Sequence, residues 1–451
     1  MRWNETWRSL GPQMLEEMNH LALGEAKEWL DDWKRRALPY PELVRLLWRF
    51  ASIPREAETE AYLVQVVDIG LLTESLLRHP SDTGWGIAQD LLLRLVARRP
   101  KFLETAEGND ERVGLEQAWH QRRPDLADWE TRSVIAREGL SGLMEHLVKQ
   151  TLQRDVGTVL PSLWRVSGDL ASYWAGEDRW ALMRLASRWQ ALAANQSEVL
   201  GMAGWTVEEG DITRPLDFYR YFQGTLEEHL PNNPHPNPDQ AFFQVYRDGQ
   251  VQILLQKFAR VSLSLKTQDL RWLVGQLMVD ALSGADESVW DFLSRQALGV
   301  MDMLMLSRAH RSHTEERHLV WSAWGWALAA LLAAGYHGHQ TTMGVSVHSD
   351  EVPVEDLWQA IDHGDPERSL QTALQLGDAV GELWPLLQEE ATVVGNPIGI
   401  RLMAMATCAR MTAPPMATHR ILPAVVRFMA RTRRTDWVGD GGGSQSLNHP
   451  T

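Results

Sequence analysis

Three histidines and two glutamates crowd the segment RAHRSHTEERHL, residues 308–319. His310 and His313 are three residues apart and share a face if the segment is helical. Glu315 and His318 form an E-x-x-H pair, the spacing by which carboxylate-bridged di-iron bundles place a carboxylate and an imidazole side by side. Neutral imidazoles and a carboxylate at these offsets can bind a transition metal. His310, His313, Glu315 and His318 are therefore the candidate metal site, and a transition metal is the candidate cofactor. His337 and His339 follow in YHGHQ, and His348 comes soon after. A straight helix between the two clusters would hold His318 and His337 nearly 30 Å apart, at about 1.5 Å per residue. One ion cannot bind both unless other helices return to it. A second E-x-x-H, Glu17 and His20, is of the kind that a Glu-rich chain produces by chance. H-E-x-x-H, C-x-x-C and the paired-Asp calcium loop are absent from the sequence. The competing reading of these histidines is a solvated, partly charged face that leads into a core helix.

Other chemistry is sparser. The sequence has no phosphate-binding G-x-x-x-x-G-K-[ST], no G-x-G-x-x-G and no G-x-S-x-G nucleophile elbow. Ser346 and Ser349 flank His348 and Asp350, but triad members are seldom neighbours in sequence. The single cysteine, Cys408, lies in the apolar pattern RLMAMATCARM and reads as a small buried hydrophobe. Arg427, Arg431 and Arg434 fall at i, i+4 and i+7, a basic stripe that suits a helix C-terminus.

The element that must position the first histidine cluster is the uncharged run 319–336. Its eighteen residues would span roughly 27 Å as a helix, barely a bilayer core. Six of them are Ala. At about 100° per residue, Trp321, Trp324, Leu328, Leu331 and Leu332 gather on one face. Ala323, Ala329, Ala330, Ala333 and Ala334 gather opposite. A bulky face and a smooth face suit a helix packed between two protein layers, so a buried core helix is expected rather than a membrane span.

Helical periodicity runs through most of the chain. In 41–51, Leu43, Leu46, Leu47 and Phe50 form one stripe. The run WGIAQDLLLRLVARRP should stop by Pro100, Asn195 is a plausible stop after DRWALMRLASRWQALAA, and Thr267 is the expected N-cap of TQDLRWLVGQLMVDAL. Around Asp248-Gly249, a hairpin signal competes with a helical stripe of Val251, Leu254, Leu255 and Phe258. The stripe is longer, and a helix from about residue 250 is favoured. Proline, asparagine and glycine concentrate in 204–240, where PNNPHPNP cannot be helical throughout. The expected fold is thus all-α, a multi-helix array or bundle of two helical halves: 1–204, a loop-rich junction over 205–247, and 248–436. The Gly/Ser/Asn-rich 437–451 reads as a disordered tail. No fixed-period repeat signature is present.

Composition bounds the function. The chain has 451 residues, 59 of them acidic and 44 basic, for a net charge of −15. That argues against nucleic acid as a partner and for a solvated cytoplasmic surface. The N-terminal residues lack the apolar core of a secretory signal, and no stable membrane insertion is expected. Tryptophan dominates the aromatic content, with 21 Trp against 7 Tyr and 9 Phe, which predicts an indole-rich core. Two functions fit. The first is a helical interaction or scaffold protein that holds a protein or small-molecule partner in grooves between helices. The second is an enzyme with a His/Trp-lined pocket between helices, a metal-dependent oxidoreductase being the candidate.

Overall fold

The computed structural model describes residues 13–36, 40–51, 53, 60–78, 82–97, 113–153, 160–172, 177–193, 212–229, 235–247, 249–261, 265–308, 313–335, 353–377 and 418–434, with 380, 383, 387, 401 and 405. Among them the secondary structure is entirely helical, as the periodicity predicts. In chain order the helices are α1 (13–20), α2 (Ala26–Arg35), α3 (Tyr40–Ala51), α4 (Glu60–Arg78), α5 (Asp82–Ala97), α6 (Leu115–His120), α7 (Pro124–Gln153), α8 (Leu160–Ser172) and α9 (Glu177–Ala193). They continue as α10 (Pro215–Glu227), α11 (Pro238–Arg247), α12 (Gln250–Val261), α13 (Thr267–Gly284), α14 (Trp290–Arg308), α15 (His313–Ala334), α16 (Val354–Asp362), α17 (Pro366–Leu376) and α18 (Thr418–Arg434).

Local signals account for many of the boundaries. Pro215 opens α10 and Pro366 opens α17, where a missing N–H costs nothing. Asp365 caps α17 by accepting the Arg368 N–H at 3.0 Å. α5 ends at Ala97, before Pro100. The helix wins over the hairpin at Gly249, which takes φ +75° just before α12 begins. One boundary differs from expectation. Thr267 is the first residue of α13, and Lys266 is its extended flanking residue, with no side-chain cap. α7 is kinked at Gly139, whose φ of +74° lies in the left-handed region that favours glycine.

The core has α15 at its centre. From Leu319 to Ala334 every residue but Ser322 is buried. α15 packs against α14, α11, α13 and α12, and touches α7. A helix that is apolar all round needs such a jacket, and its alanine face lets neighbouring backbones approach. No described helix is long and apolar enough to cross a membrane. Its indoles are satisfied inside: the Trp324 N–H donates to Leu270 O at 3.1 Å and the Trp326 N–H to Gln296 Oε1 at 2.8 Å. Elsewhere Trp33, Trp48, Trp119, Trp164 and Trp290 are fully buried, in line with an indole-rich core.

Helices from the two ends of the chain meet at α4, α8 and α14. α8 packs on α4, α9 and α14. Gly70 makes the α4 contact close: a Cβ there would lie 2.2 Å from Val166 Cγ1 and 2.7 Å from the Trp48 ring. The side chains of α3, α4 and α8 occupy the space a larger residue would need.

Candidate functional site

The candidate metal residues fall at the entry to α15. His310 lies outside the described residues, as do His337, His339, His348 and Cys408. His313 and Glu315 belong to the first turn of α15, but their side chains lie outside the described set. His318 is exposed. Between them, Glu316 accepts an ion pair from Arg271 of α13, and Arg317 donates to Leu265 O at 3.4 Å. The well-placed charges of this segment thus tie α15 to α13, while His318 faces outward. Among the described residues, no group of three or more His, Cys, Asp or Glu surrounds a common metal position. Of the basic stripe, Arg427 pairs with Glu367 of α17, and Arg431 donates to Ala285 O at 3.2 Å beside the Trp290 ring.

Two constellations that the motif search did not single out stand out instead. The first is a polar seam where α4, α8 and α14 meet. On α14, Asp291, Arg295, Leu298 and Asp302 follow one another at helical spacing on one face. Arg165 of α8 donates to Asp302 through Nε, and through Nη1 to Glu74 of α4 at 3.2 Å and to Asp169 at 2.8 Å. Arg401 makes a two-pronged contact with Asp68 of α4, both prongs 2.7 Å, and reaches Asp291 at 2.9 Å and Ser294 at 3.1 Å. Arg295 reaches Asp239 of α11 at 3.0 Å.

The carboxyls of this seam diverge. Asp302 is completely buried. Burial pushes its carboxyl above the ordinary carboxylate range, against the pull of Arg165 and Ser162. Burial also raises Asp291, but the Arg401 and Arg295 guanidiniums outweigh it and hold Asp291 below its usual value. Asp68 and Asp291 in turn raise the Arg401 guanidinium, outweighing the opposite effect of its burial. Ionised Asp291 therefore favours the folded state at neutral pH and loses that contribution as the solution is acidified, whereas ionisation of Asp302 costs stability as pH rises. A narrow cleft, with a cavity volume of about 10 Å³, borders the seam, lined by Val64, Val67, Asp68, Ser162, Arg295, Leu298 and Arg401. It is lined by neither His nor Trp, and its two arginines are both engaged by aspartates. The seam joins helices, and it leaves little room for a substrate.

The second constellation lies on the surface, where α10 runs beside α12. Beneath it Phe218 and Phe222 of α10, Phe258 of α12 and Trp324 of α15 form one aromatic cluster, with the Phe222 and Phe258 rings 4.6 Å apart. These rings fix the two helices against the central one. Above them the exposed face of α12 carries Ile253, Lys257 and Arg260 at i, i+4 and i+7. Ile253 is 69% exposed, the largest value among the described large hydrophobics. The Lys257 ammonium stands 5.9 Å from the centre of the half-buried Tyr221 ring of α10. Exposed Arg220 neighbours Tyr221, and exposed Lys266 follows at the start of α13. Among the described residues, none of Arg220, Lys257, Arg260 and Lys266 makes an ion pair. The adjoining faces of the two helices thus present an aliphatic side chain, an aromatic edge and cations without an acidic partner among the described residues.

Comparison of the chain with protein-family models, with curated proteins and with solved structures finds no match.

Proposed function

We propose that this chain is a helical interaction protein that holds a partner in a groove between helices, and that the groove between α10 and α12 is where it does so. One observation carries the reading. Among the described residues, charges at the α4–α8–α14 seam are matched against one another, but those of the α10–α12 face are left to solvent around the most exposed large aliphatic side chain. An exposed Ile beside an aromatic edge and unmatched cations is the composition of an interface anchor with a polar rim. The rings beneath the groove supply a rigid base, which lowers the ordering cost of binding. The partner is a protein rather than nucleic acid, since burying Ile253 needs an apolar group opposite it, which a phosphate backbone lacks. The cytoplasm is the inferred site of action.

A photo-cross-linking residue at position 253, in the full chain within the cells that produce it, tests this reading. A discrete adduct of higher mass is expected from position 253 and not from position 23, where Leu23 is also an exposed aliphatic. Absence of any adduct from position 253, or equal adducts from both positions, would overturn it.

A further inference from the structure

Charge is distributed unevenly over this molecule. The chain as a whole has a net charge of −15, yet no Asp or Glu occurs between Asp248 and Asp269. The cations of that interval are Lys257, Arg260 and Lys266, all exposed. α12 therefore presents a positive face on a negative protein. Two turns of that face run from Ile253 through Lys257 to Arg260, and the neighbouring edge of α10 adds Tyr221 and Arg220. Asp217 on α10 and Glu228 just after it, both exposed, lie one turn before and about two turns after Tyr221 and bound the patch.

Resting on the interaction reading above, we propose that the α12 face docks an acidic amphipathic segment of a partner protein. Such a segment seats an apolar side chain against Ile253 and the Tyr221 ring and sets carboxylates against Lys257, Arg260 and Arg220. Charge complementarity selects the acid. An acidic chain steers most anions away, so a partner must engage this face to gain from its cations. The aliphatic selects a polypeptide. Burying Ile253 needs an apolar group opposite it, which a phosphate backbone lacks. Nor does the face suit an anionic membrane, whose interfacial helices bury a whole apolar face of Trp, Phe or Leu, where α12 exposes Ile253 alone among its large hydrophobics. The Lys257 ammonium also stands 5.9 Å from the Tyr221 ring centre, so cation and aromatic edge face one partner together.

The probe is a fluorescent peptide of about five helical turns, with leucines on one face and glutamates on the other. Its binding to the full chain is read by anisotropy. Saturable binding that weakens with salt is expected. Lys257→Glu with Arg260→Glu should lower the affinity at least about tenfold, and Ile253→Ala should lower it less. Circular dichroism should be unchanged, because all three positions are exposed. The same peptide with lysines in place of glutamates should not bind. Several results would overturn the proposal: no binding of the Glu/Leu peptide, binding indifferent to the charge reversal, or tighter binding of a single-stranded oligonucleotide or of phosphatidylserine vesicles through the same residues. If position 253 cross-links a partner and the Glu/Leu peptide does not bind, the partner chemistry is wrong and the interaction reading stands. If neither occurs, both fall.

Discussion

Arg165 and Lys257 are cations on two helices of one chain, and their surroundings are opposite. Arg165 sits at the α4–α8–α14 seam among Asp302, Glu74 and Asp169. Lys257 stands on the surface of α12 with an aromatic ring for a neighbour and no carboxylate in contact. The difference follows from desolvation. A charge taken out of water must be met by opposite charge and hydrogen bonds, or folding becomes too costly. A charge left in water carries no such demand, so its lack of a partner costs the fold nothing. The seam is therefore constrained by stability, and the α10–α12 face is free to serve something else. If this division is right, substitutions in the two places differ in what they damage.

The largest effect should come from Arg165→Met. The methionine keeps much of the volume and removes the charge, leaving Asp302 and Glu74 buried with no guanidinium between them. Stranding buried charge in this way costs about 3–5 kcal/mol. The loss is read from the urea midpoint at neutral pH. It should shrink as the pH falls, because burial raises Asp302 so that it protonates sooner than an ordinary carboxyl, and a neutral carboxyl strands no charge. A loss near zero at neutral pH would mean that water reaches the seam, and the contrast with α12 would collapse.

A smaller effect is expected at Gly70 of α4. Glycine to alanine inside a helix ordinarily stabilises it by roughly 1 kcal/mol. Here the new Cβ would meet Val166 and Trp48, both fully buried. Overpacking of this kind costs about 1–3 kcal/mol and should outweigh the gain in helix propensity. Thermal and urea denaturation of Gly70→Ala give the sign directly. A stabilised variant would show that α3, α4 and α8 can separate readily, and the seam would then be a loose joint rather than a tight one.

How much of this was readable beforehand depends on range. The all-helical fold was legible because each stripe, such as Leu43, Leu46, Leu47 and Phe50, lies within a few turns, and periodicity reports just that scale. The burial of α15 followed from its bulky and smooth faces. The seam was not found, although it left a trace: Asp68, Asp302, Arg165 and Arg401 are single charges within apolar helical runs. Such a residue announces a buried partner without saying which one. Arg401 and Asp68 are more than 300 residues apart, and only the tertiary fold brings them together. In the histidine segment, Glu316 and Arg317, which no motif marked, are the described residues that bind across to α13 and to Leu265. Nor did periodicity reveal the α10–α12 face. A pattern of apolar residues identifies the side of α12 that turns inward, whereas Ile253 matters by lying off that pattern.

Two neighbours on α12 give the smallest expected effect and the sharpest contrast. Leu254 is 1% exposed and belongs to the core, whereas Ile253 is 69% exposed. Truncating a buried Leu to Ala costs about 2–5 kcal/mol through lost transfer energy and the cavity left behind. The same truncation at Ile253 removes a side chain that mostly touches water and leaves no cavity. Alanine is also the better helix former by a few tenths of a kcal/mol. Ile253→Ala should therefore shift stability by less than about 0.5 kcal/mol, with a sign toward stabilisation. Urea denaturation of the two variants side by side measures this. An aliphatic residue that adds nothing to the fold is open to contact with a partner. A loss at Ile253 comparable to that at Leu254 would place Ile253 in the core of the folded protein, and the α10–α12 groove would lose its anchor.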